Sequence, residues 1–330
     1  TKNNIGKYII TDKEGNKIID ELKEEGVFCE LSNIYSWTPD SPFLYNVTFI
    51  YEEDEVFSYF AMRKYSIDND KNNIKRLFLN NKPYFHNGVL DQGYWSDGYY
   101  TAPSDEALKY DILLMKKLGF NMLRKHIKVE PMRWYYYCDT IGMIIWQDMI
   151  SGGSSQNPFI TLLLPFLHIS ISDNWYYLFG RREETSRKTY YRELEEMINQ
   201  LYNVPSIATW VPFNEGWGQF DSLKVTQYIK SLDNTRYIDH ASGFHDQNGG
   251  DFQSLHIYFG NLDFNPDKYG RVSALSEFGG YSYKIEGHCG SDHQFGYSFY
   301  NTKKEYNDAY YKLFVDQLIP SIKKGFSASV

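Results

Sequence analysis

Two glutamates stand at the ends of apolar runs in this 330-residue chain, where a buried strand would meet a loop. Glu215 ends the run 209–214, and Glu277 ends the run 274–276. A carboxylate beside Trp or Phe is costly unless it is paired, hydrogen-bonded or protonated. Cleavage of a glycosidic bond typically requires two carboxyl groups at one site. These two glutamates could provide them if the fold brings them to the same rim.

From about residue 76, strand and helix signals alternate, which indicates a parallel sheet. Helices are predicted between the strands, among them 186–202, 222–232 and 303–324. Eight strands and about seven helices predict a (β/α)8 TIM barrel over 76–330 with strand eight at the chain end. In such a barrel, Glu215 and Glu277 end strands four and seven and share one mouth. The predicted strands are 84–90, 121–127, 143–148, 206–213, 237–241, 254–258, 272–276 and 326–330.

Residues 1–75 differ from the rest, because short apolar runs alternate with Gly, Asn, Asp and Pro turn signals. They predict a small β-sandwich with strands at 7–10, 27–31, 45–51 and 56–67. A long aromatic and Gly/Ser-rich segment, 151–185, interrupts the barrel pattern and is expected to act as a lid or binding loop. A doubly wound sheet has no support, since no Gly-rich phosphate loop follows strand one.

Composition argues against several function classes. A net charge of −8 with no basic face argues against nucleic-acid binding. The chain has no run of about 18 apolar residues, so no membrane span is expected. Cys29, Cys138 and Cys289 are widely separated and predict neither a disulfide framework nor a zinc site. A metal-dependent barrel would want His-x-His at the end of strand one, whereas His86 stands alone. No metal and no cofactor are therefore expected.

The motifs together resemble glycoside hydrolase family 2, which contains β-galactosidases, β-glucuronidases and β-mannosidases. The resemblance rests on Asn214-Glu215, on the run 276–279 (Ser-Glu-Phe-Gly), and on the stretches 124–126 and 134–142. The stretches 37–45 and 62–64 resemble the end of the family's immunoglobulin-like domain. The resemblance implies an incomplete immunoglobulin-like β-sandwich over 1–75 and a catalytic barrel over 76–330. It also implies a retaining β-glycosidase acting on a carbohydrate, a β-galactoside-like substrate, by a two-glutamate double displacement.

By this resemblance, Glu215 is the general acid/base and Glu277 the nucleophile. Asn214 would bond the sugar 2-hydroxyl, and Arg124 would keep Glu277 ionised by charge pairing. Further substrate contacts are expected where predicted strands one, two, four and six end, because polar and aromatic groups there suit hydroxyl contacts and ring stacking. These candidates are Asp91, Gln92, Trp95, His126, Trp217, His256 and Tyr258.

Some features differ from better-known members of that family. The predicted third strand ends in Trp146-Gln147-Asp148-Met149 rather than in an acidic pair, which leaves the choice of sugar open. Both chain ends look cut, so the piece is expected to fold, to hydrolyse poorly, and to self-associate or be less stable than its parent. Two alternatives stay open: a carbohydrate-binding fragment that has lost turnover, and a metal-dependent barrel hydrolase.

Overall fold

A computed structural model of the chain describes residues 6–23, 26, 28–167, 169–291 and 293–330. The amino-terminal region is an antiparallel sheet of order β2-β1-β3-β4. Alternate residues on one of its faces, including Tyr8, Ile10, Tyr45 and Val47, form a small core. The strands are β1 (Lys7–Thr11), β2 (Lys17–Glu21), β3 (Tyr45–Tyr51) and β4 (Asp54–Phe60).

Two strand predictions in this region are wrong. Residues 28–31 have no regular structure, and Val27 of the same predicted strand lies outside the described residues. The predicted strand 56–67 is instead two strands, because the chain leaves β4 after Phe60 and enters a second sheet. That sheet contains β5 (Tyr65–Asn69), β6 (Lys75–Leu79) and β7 (Lys82–Pro83).

Eight parallel strands form the nearly closed barrel that the sequence predicts, so the predicted fold class is confirmed. Their order around the barrel is β12-β11-β10-β9-β8-β17-β14-β13. β12 and β13 share no ladder, but the amide of Asp251 donates to Ile238 O at 2.9 Å. A short parallel pair, β15 (Tyr281–Tyr283) and β16 (Ser298–Tyr300), follows β14. The barrel strands are β8 (His86–Asp91), β9 (Met122–Lys125), β10 (Ile144–Asp148), β11 (Ile207–Val211), β12 (Tyr237–Ile238), β13 (Phe252–Ile257), β14 (Val272–Phe278) and β17 (Ala328–Ser329).

The helices begin where the sequence supplies caps. Ser104 accepts from the amide of Ala107 at the start of α1, and Thr302 forms a capping box with Glu305 at the start of α6. A π-helical stretch, Leu313–Leu318, joins α6 to α7, so 303–324 is one continuous helix. A second π-helical stretch, Phe159–Leu163, precedes α3 in the segment predicted as a lid. The α-helices are α1 (Asp105–Lys117), α2 (Met132–Ile141), α3 (Leu164–Phe166), α4 (Glu184–Leu201), α5 (Ser222–Leu232), α6 (Lys303–Lys312) and α7 (Ile319–Lys324).

The amino-terminal β region packs directly on the barrel. Leu77 and Leu79 of β6 belong to one buried cluster with Ile144 and Trp146 of β10. A domain boundary near residue 75 stays a prediction. Within the described parts of the chain, no helix combines the length and the apolarity that crossing a membrane would require.

Asp139 on α2 is the polar centre of this contact between the two parts. Tyr59 of β4 donates its hydroxyl to Asp139 Oδ2 at 2.7 Å, and the amide of Ser206 donates to Oδ1 at 3.0 Å. Trp37 donates its indole N–H to the Asp139 carbonyl at 2.8 Å. Burial raises the pKa of the Asp139 carboxyl to about 7.

Candidate active site

Glu215 and Glu277 lie together at the carboxyl ends of their strands. Glu215 follows β11 in a tight turn, and Glu277 belongs to β14. Both side chains are buried, with residue exposures of 8% and 6%. One carboxylate oxygen from each glutamate and one ring nitrogen of His256 all lie within 4.8 Å of one another. The barrel therefore brings together two carboxylates that the sequence separates widely.

The turn after β11 fixes where Glu215 points. Its amide donates to Ser242 O at 2.9 Å, which ties the turn to the segment after β12. Glu215 has φ of 50°, a left-handed conformation that is uncommon for a residue with a side chain. The next residue, Gly216, also has positive φ, and a Cβ there would lie 2.6 Å from the His245 ring. Gly216 thus lets the turn approach its neighbour closely.

Arg124 on β9 holds the base of the site together. It is fully buried and forms a two-pronged pair with Asp148, with both nitrogen–oxygen distances at 3.0 Å. Its Nη1 lies 3.1 Å from Glu277 Oε1, and its Nη2 donates to Asn214 Oδ1 at 2.8 Å. A planar guanidinium can serve all three groups because its donors are spread in a fixed fork.

These contacts set the ionisation of Glu277. Burial alone would raise the pKa of this carboxyl, but His256, Arg124 and the Tyr258 hydroxyl outweigh burial and lower it. Tyr258 donates its hydroxyl to Glu277 Oε2. Burial and the adjacent Glu277 charge in turn raise the pKa of Tyr258, so its proton stays in place to make that bond. Glu277 is therefore held as a carboxylate.

His256 lies between the two glutamates. Its Nδ1 is 2.9 Å from Glu215 Oε1, and its Nε2 is 3.7 Å from Glu277 Oε1. The β13–β14 register shifts between Leu255 and His256, so His256 pairs with Glu277 rather than with Ser276. Bulges commonly re-aim a side chain next to a functional site.

Asn214 and His126 form a second polar layer beside the glutamates. Asn214 Nδ2 lies 3.1 Å from His126 Nε2, and Gln92 Nε2 lies 3.4 Å from His126 Nδ1. Burial lowers the pKa of His126, which favours a neutral ring. The ring of Trp217 meets the His126 ring edge-on at a centroid distance of 6.2 Å.

A cavity of about 610 Å³ opens over these groups. Gln92, His126, Glu215, Trp217, Tyr258 and Glu277 all line it, so it gathers six of the residues that the sequence singles out. Aromatic rings extend its wall, and Tyr297 stacks on Tyr258 at a centroid distance of 3.9 Å. Carboxylates beside aromatic faces suit a ligand with hydroxyl groups and apolar C–H faces.

Asp91 and Trp95 have other neighbours. Asp91 Oδ2 lies 2.9 Å from Lys125 Nζ, in a charge cluster with Glu130. Trp95 packs against the buried cluster that contains Leu123 and Met149. Neither residue lines the 610 Å³ cavity, so their predicted contact with substrate gains no support from this geometry.

Sequence reasoning gave no role to three residues that shape the site. Asp148 ends β10, and an acid at the carboxyl end of a barrel strand was an available signal. Ser242 follows the predicted fifth strand and contacts His256 Nε2 at 3.2 Å. Tyr297 comes from the region between β15 and β16, where no periodic pattern marks a strand end.

Comparisons with known proteins agree with this architecture. The family model described as "Glycosyl hydrolases family 2, TIM barrel domain" matches residues 71–262. A β-galactosidase of Leuconostoc mesenteroides is 27% identical over 245 residues, which cover 71% of this chain and 21% of that protein. A β-galactosidase of Streptococcus thermophilus is 24% identical over 245 residues, covering 70% of this chain and 22% of that protein. The chain thus spans about a fifth of the length of these relatives.

Solved structures share the fold at lower identity. A β-D-glucuronidase of Dictyoglomus thermophilum superposes with a TM-score of 0.72 at 16% identity, over 99% of this chain and 57% of that one. A β-glucuronidase from an uncultured Clostridium gives a TM-score of 0.70 at 17% identity, over 100% of this chain and 56% of that one. At these identities the likeness concerns the fold.

Proposed function

Because the chain belongs to glycoside hydrolase family 2, we propose that it acts as a retaining β-glycosidase on β-galactoside-like substrates. The choice of sugar follows the relatives named β-galactosidase. The observation that carries the proposal is the approach of the Glu215 and Glu277 carboxylates, with one oxygen of each within 4.8 Å of the other. Carboxyl groups about 5–5.5 Å apart are typical of retention, whereas inverting enzymes leave about 6.5–9.5 Å for a water molecule.

In the first step, Glu277 attacks the anomeric carbon and forms a covalent glycosyl ester. Glu215 donates its proton to the departing glycosidic oxygen, so the aglycone leaves as a neutral alcohol. Arg124 and Tyr258 support this step because they keep Glu277 ionised before the attack. Asn214 is proposed to bond the sugar 2-hydroxyl, a contact that strengthens in the transition state.

In the second step, Glu215 acts as a base. It takes a proton from a water molecule, whose oxygen attacks the anomeric carbon and releases Glu277 as a carboxylate. Each step inverts the anomeric centre, so the product keeps the β configuration. Glu215 ends the cycle protonated, as it began.

The test compares Glu215→Gln and Glu277→Gln across aryl β-galactosides whose leaving groups differ in acidity. Glu277→Gln should nearly abolish turnover of every substrate. Glu215→Gln should spare the first step for activated leaving groups, because a good leaving group needs little protonation. Glu196→Gln, on the exposed side of α4, is the matched control and should behave like the parent.

Two results would contradict the proposal. An equal loss of turnover for good and poor leaving groups in Glu215→Gln would contradict the assignment of Glu215 as the general acid. Trapping with a 2-deoxy-2-fluoro-β-galactoside, followed by peptide mass spectrometry, should label Glu277; a label elsewhere would remove the nucleophile role. Binding of sugar without any turnover would favour the carbohydrate-binding alternative.

A further inference from the structure

A chain of hydrogen-bonding groups runs from Glu215 into the barrel interior. Glu215 Oε1 lies 2.9 Å from His256 Nδ1, and His256 Nε2 lies 3.2 Å from Ser242 Oγ. Ser242 Oγ lies 3.3 Å from Ser254 Oγ, which in turn lies 2.7 Å from Asp239 Oδ2. Four groups, those of Glu215, His256, Ser242 and Ser254, thus connect the cavity to the Asp239 carboxyl group, which directly follows β12.

The inner end of this chain is closed to solvent. Asp239 has no exposed surface, and its Oδ1 has no hydrogen-bond partner among the described residues. Ser242 and Ser254 are also buried. Burial raises the pKa of Asp239, although the nearby Arg124 charge and the Ser254 hydroxyl act in the opposite direction. A buried carboxyl group with one oxygen lacking a partner among the described residues is suited to hold a proton.

We propose that Ser254, Ser242 and His256 form a proton wire that couples the protonation of buried Asp239 to that of Glu215. The inference rests on the proposed role of Glu215 as the acid/base. Ser242, Ser254 and Asp239 then act as positioning residues, since they reach the reacting atoms only through His256 and Glu215.

The wire has two states with the same number of protons. In the first, Asp239 is protonated and donates to Ser254, Ser254 donates to Ser242, and Ser242 donates to His256 Nε2. The ring then carries its proton on Nδ1 and donates it to an ionised Glu215.

In the second state every bond points the other way. Glu215 is protonated and donates to His256 Nδ1, the ring donates from Nε2 to Ser242, Ser242 donates to Ser254, and Ser254 donates to an ionised Asp239. Moving between the states transfers one proton along each link and moves one negative charge between Glu215 and Asp239. Glu215 can thus be set in its acid form or its base form without exchanging a proton with bulk water.

Other ionisable groups face the wire from the surrounding strands. Glu277 on β14 lies 3.7 Å from His256 Nε2 and accepts a hydrogen bond from the Tyr258 hydroxyl. Arg124 and His240 act on Asp239, and both their charges favour its ionised form. His126 faces the same cavity. Arg124 is tied to Asp148 and Glu277, so its charge is fixed while the wire protons move.

Ser276 is a side branch. Its Oγ lies 2.6 Å from Ser254 Oγ and 3.2 Å from Leu255 O. Ser254 has one hydroxyl proton, so it can donate either to this branch or along the wire, and the branch leads no further toward Glu215. Ser276→Ala therefore removes the branch and leaves the wire intact, which makes it one control.

The direct test follows the His256 ring by nitrogen-15 NMR at one fixed pH, in the protein without substrate. Because the two states hold the same number of protons, the ring nitrogens of the parent should show shifts averaged between the Nδ1–H and Nε2–H tautomers. Asp239→Asn cannot take up the negative charge, so its His256 ring should stay in one tautomer and lose this averaging. Ser242→Ala should uncouple the ring from Asp239, and Ser242→Thr, which keeps the hydroxyl, should restore the coupling.

Ser273→Ala is the matched control, since this buried serine on β14 bonds Gln253 and lies outside the wire. If Ser242→Ala folds poorly, Ser254→Ala interrupts the same wire at a different residue. Identical ring nitrogen shifts in the parent, Ser242→Ala and Asp239→Asn would overturn the inference.

Turnover supplies the second measurement. General acid catalysis contributes about 10²–10⁴-fold, so cutting the wire should slow hydrolysis of poor leaving groups by about 10-fold and of activated ones by less than about 3-fold. If Glu215→Gln and Glu277→Gln leave hydrolysis intact, the proposed function fails whatever the NMR shows. If hydrolysis needs both glutamates but the His256 ring shifts do not change in Asp239→Asn, only the proton wire is contradicted and the proposed function stands.

Discussion

Replacing Arg124 with methionine is the sharpest test of how the site is held together. Methionine fills much of the same space, so little cavity forms, but the only described cation that pairs with both Asp148 and Glu277 is removed. Glu277 keeps Tyr258 and His256 as partners. Asp148 loses both short bonds and retains the Ile127 amide at 3.4 Å. Most of the loss therefore falls on Asp148.

Removing one partner of a buried ion pair costs about 3–5 kcal/mol, and we expect Arg124→Met to lose that much free energy of unfolding at pH 7. Urea denaturation, followed by circular dichroism, measures it. Arg124→Lys keeps the charge but has one ammonium for two carboxylates, so it should lose about half as much. Arg192→Met, which breaks an exposed pair on α4, should change stability by less than about 0.5 kcal/mol.

The pH dependence checks the reasoning further. The pKa of Glu277 is lowered in the folded protein, so its contribution is present above the ordinary value of about 4.5 and is lost as pH falls through the lowered pKa. The stability gap between the parent and Arg124→Met should therefore narrow on acidification. A loss below about 1 kcal/mol at pH 7, or a gap that widens in acid, would refute the account of Arg124.

Three further predictions concern single side chains. Tyr258→Phe removes a hydrogen bond that lowers the pKa of Glu277, so the acidic limb of kcat/KM against pH should move to higher pH; an unmoved limb would contradict this. Asp139 has a folded pKa of about 7 against about 3.8 unfolded, so the folded state binds the extra proton and stability falls as pH rises through that window. Asp139→Asn can keep the bond to Tyr59 and should flatten this fall, measured by urea denaturation at about pH 5 and pH 8; an unchanged slope would count against it. Phe57 is 75% exposed on the amino-terminal sheet, so Phe57→Lys should reduce self-association in sedimentation velocity; equal sedimentation of both proteins would remove this face as the cause.

The elements were largely readable from the sequence because their signals are local. The predicted helix 222–232 coincides with α5, and the predicted helix 303–324 coincides with α6, the π stretch and α7 together. The π stretch itself could not be predicted, since nothing in its residues, Leu-Phe-Val-Asp-Gln-Leu, separates it from an α-helix. The strand predicted at 27–31 failed over residues 28–31, because no strand in the described part of the chain pairs with them.

The site was only partly readable, because a buried strand hides which way its residues face. Arg124 and Lys125 are adjacent on β9 and equally buried, yet Arg124 pairs with Glu277 while Lys125 pairs with Asp91. The ends of the strands show where the mouth of the barrel lies. Along a strand that is buried on both faces, however, inward-pointing and outward-pointing residues do not differ in polarity, so the sequence cannot tell them apart. Asp91 illustrates the consequence, since it ends β8 and still contacts Lys125.

At Glu215, the side chain that the proposed reaction needs is attached to a left-handed backbone that lowers the stability of the fold. A side chain with φ of 50° costs about 1–2 kcal/mol relative to glycine, and the fold maintains this strain at the group proposed to move protons. Glu215→Gly should therefore make the protein more stable while removing the carboxylate. Drift under selection for folding alone would erase this glutamate early, so its persistence in a lineage would itself record continued use of the site.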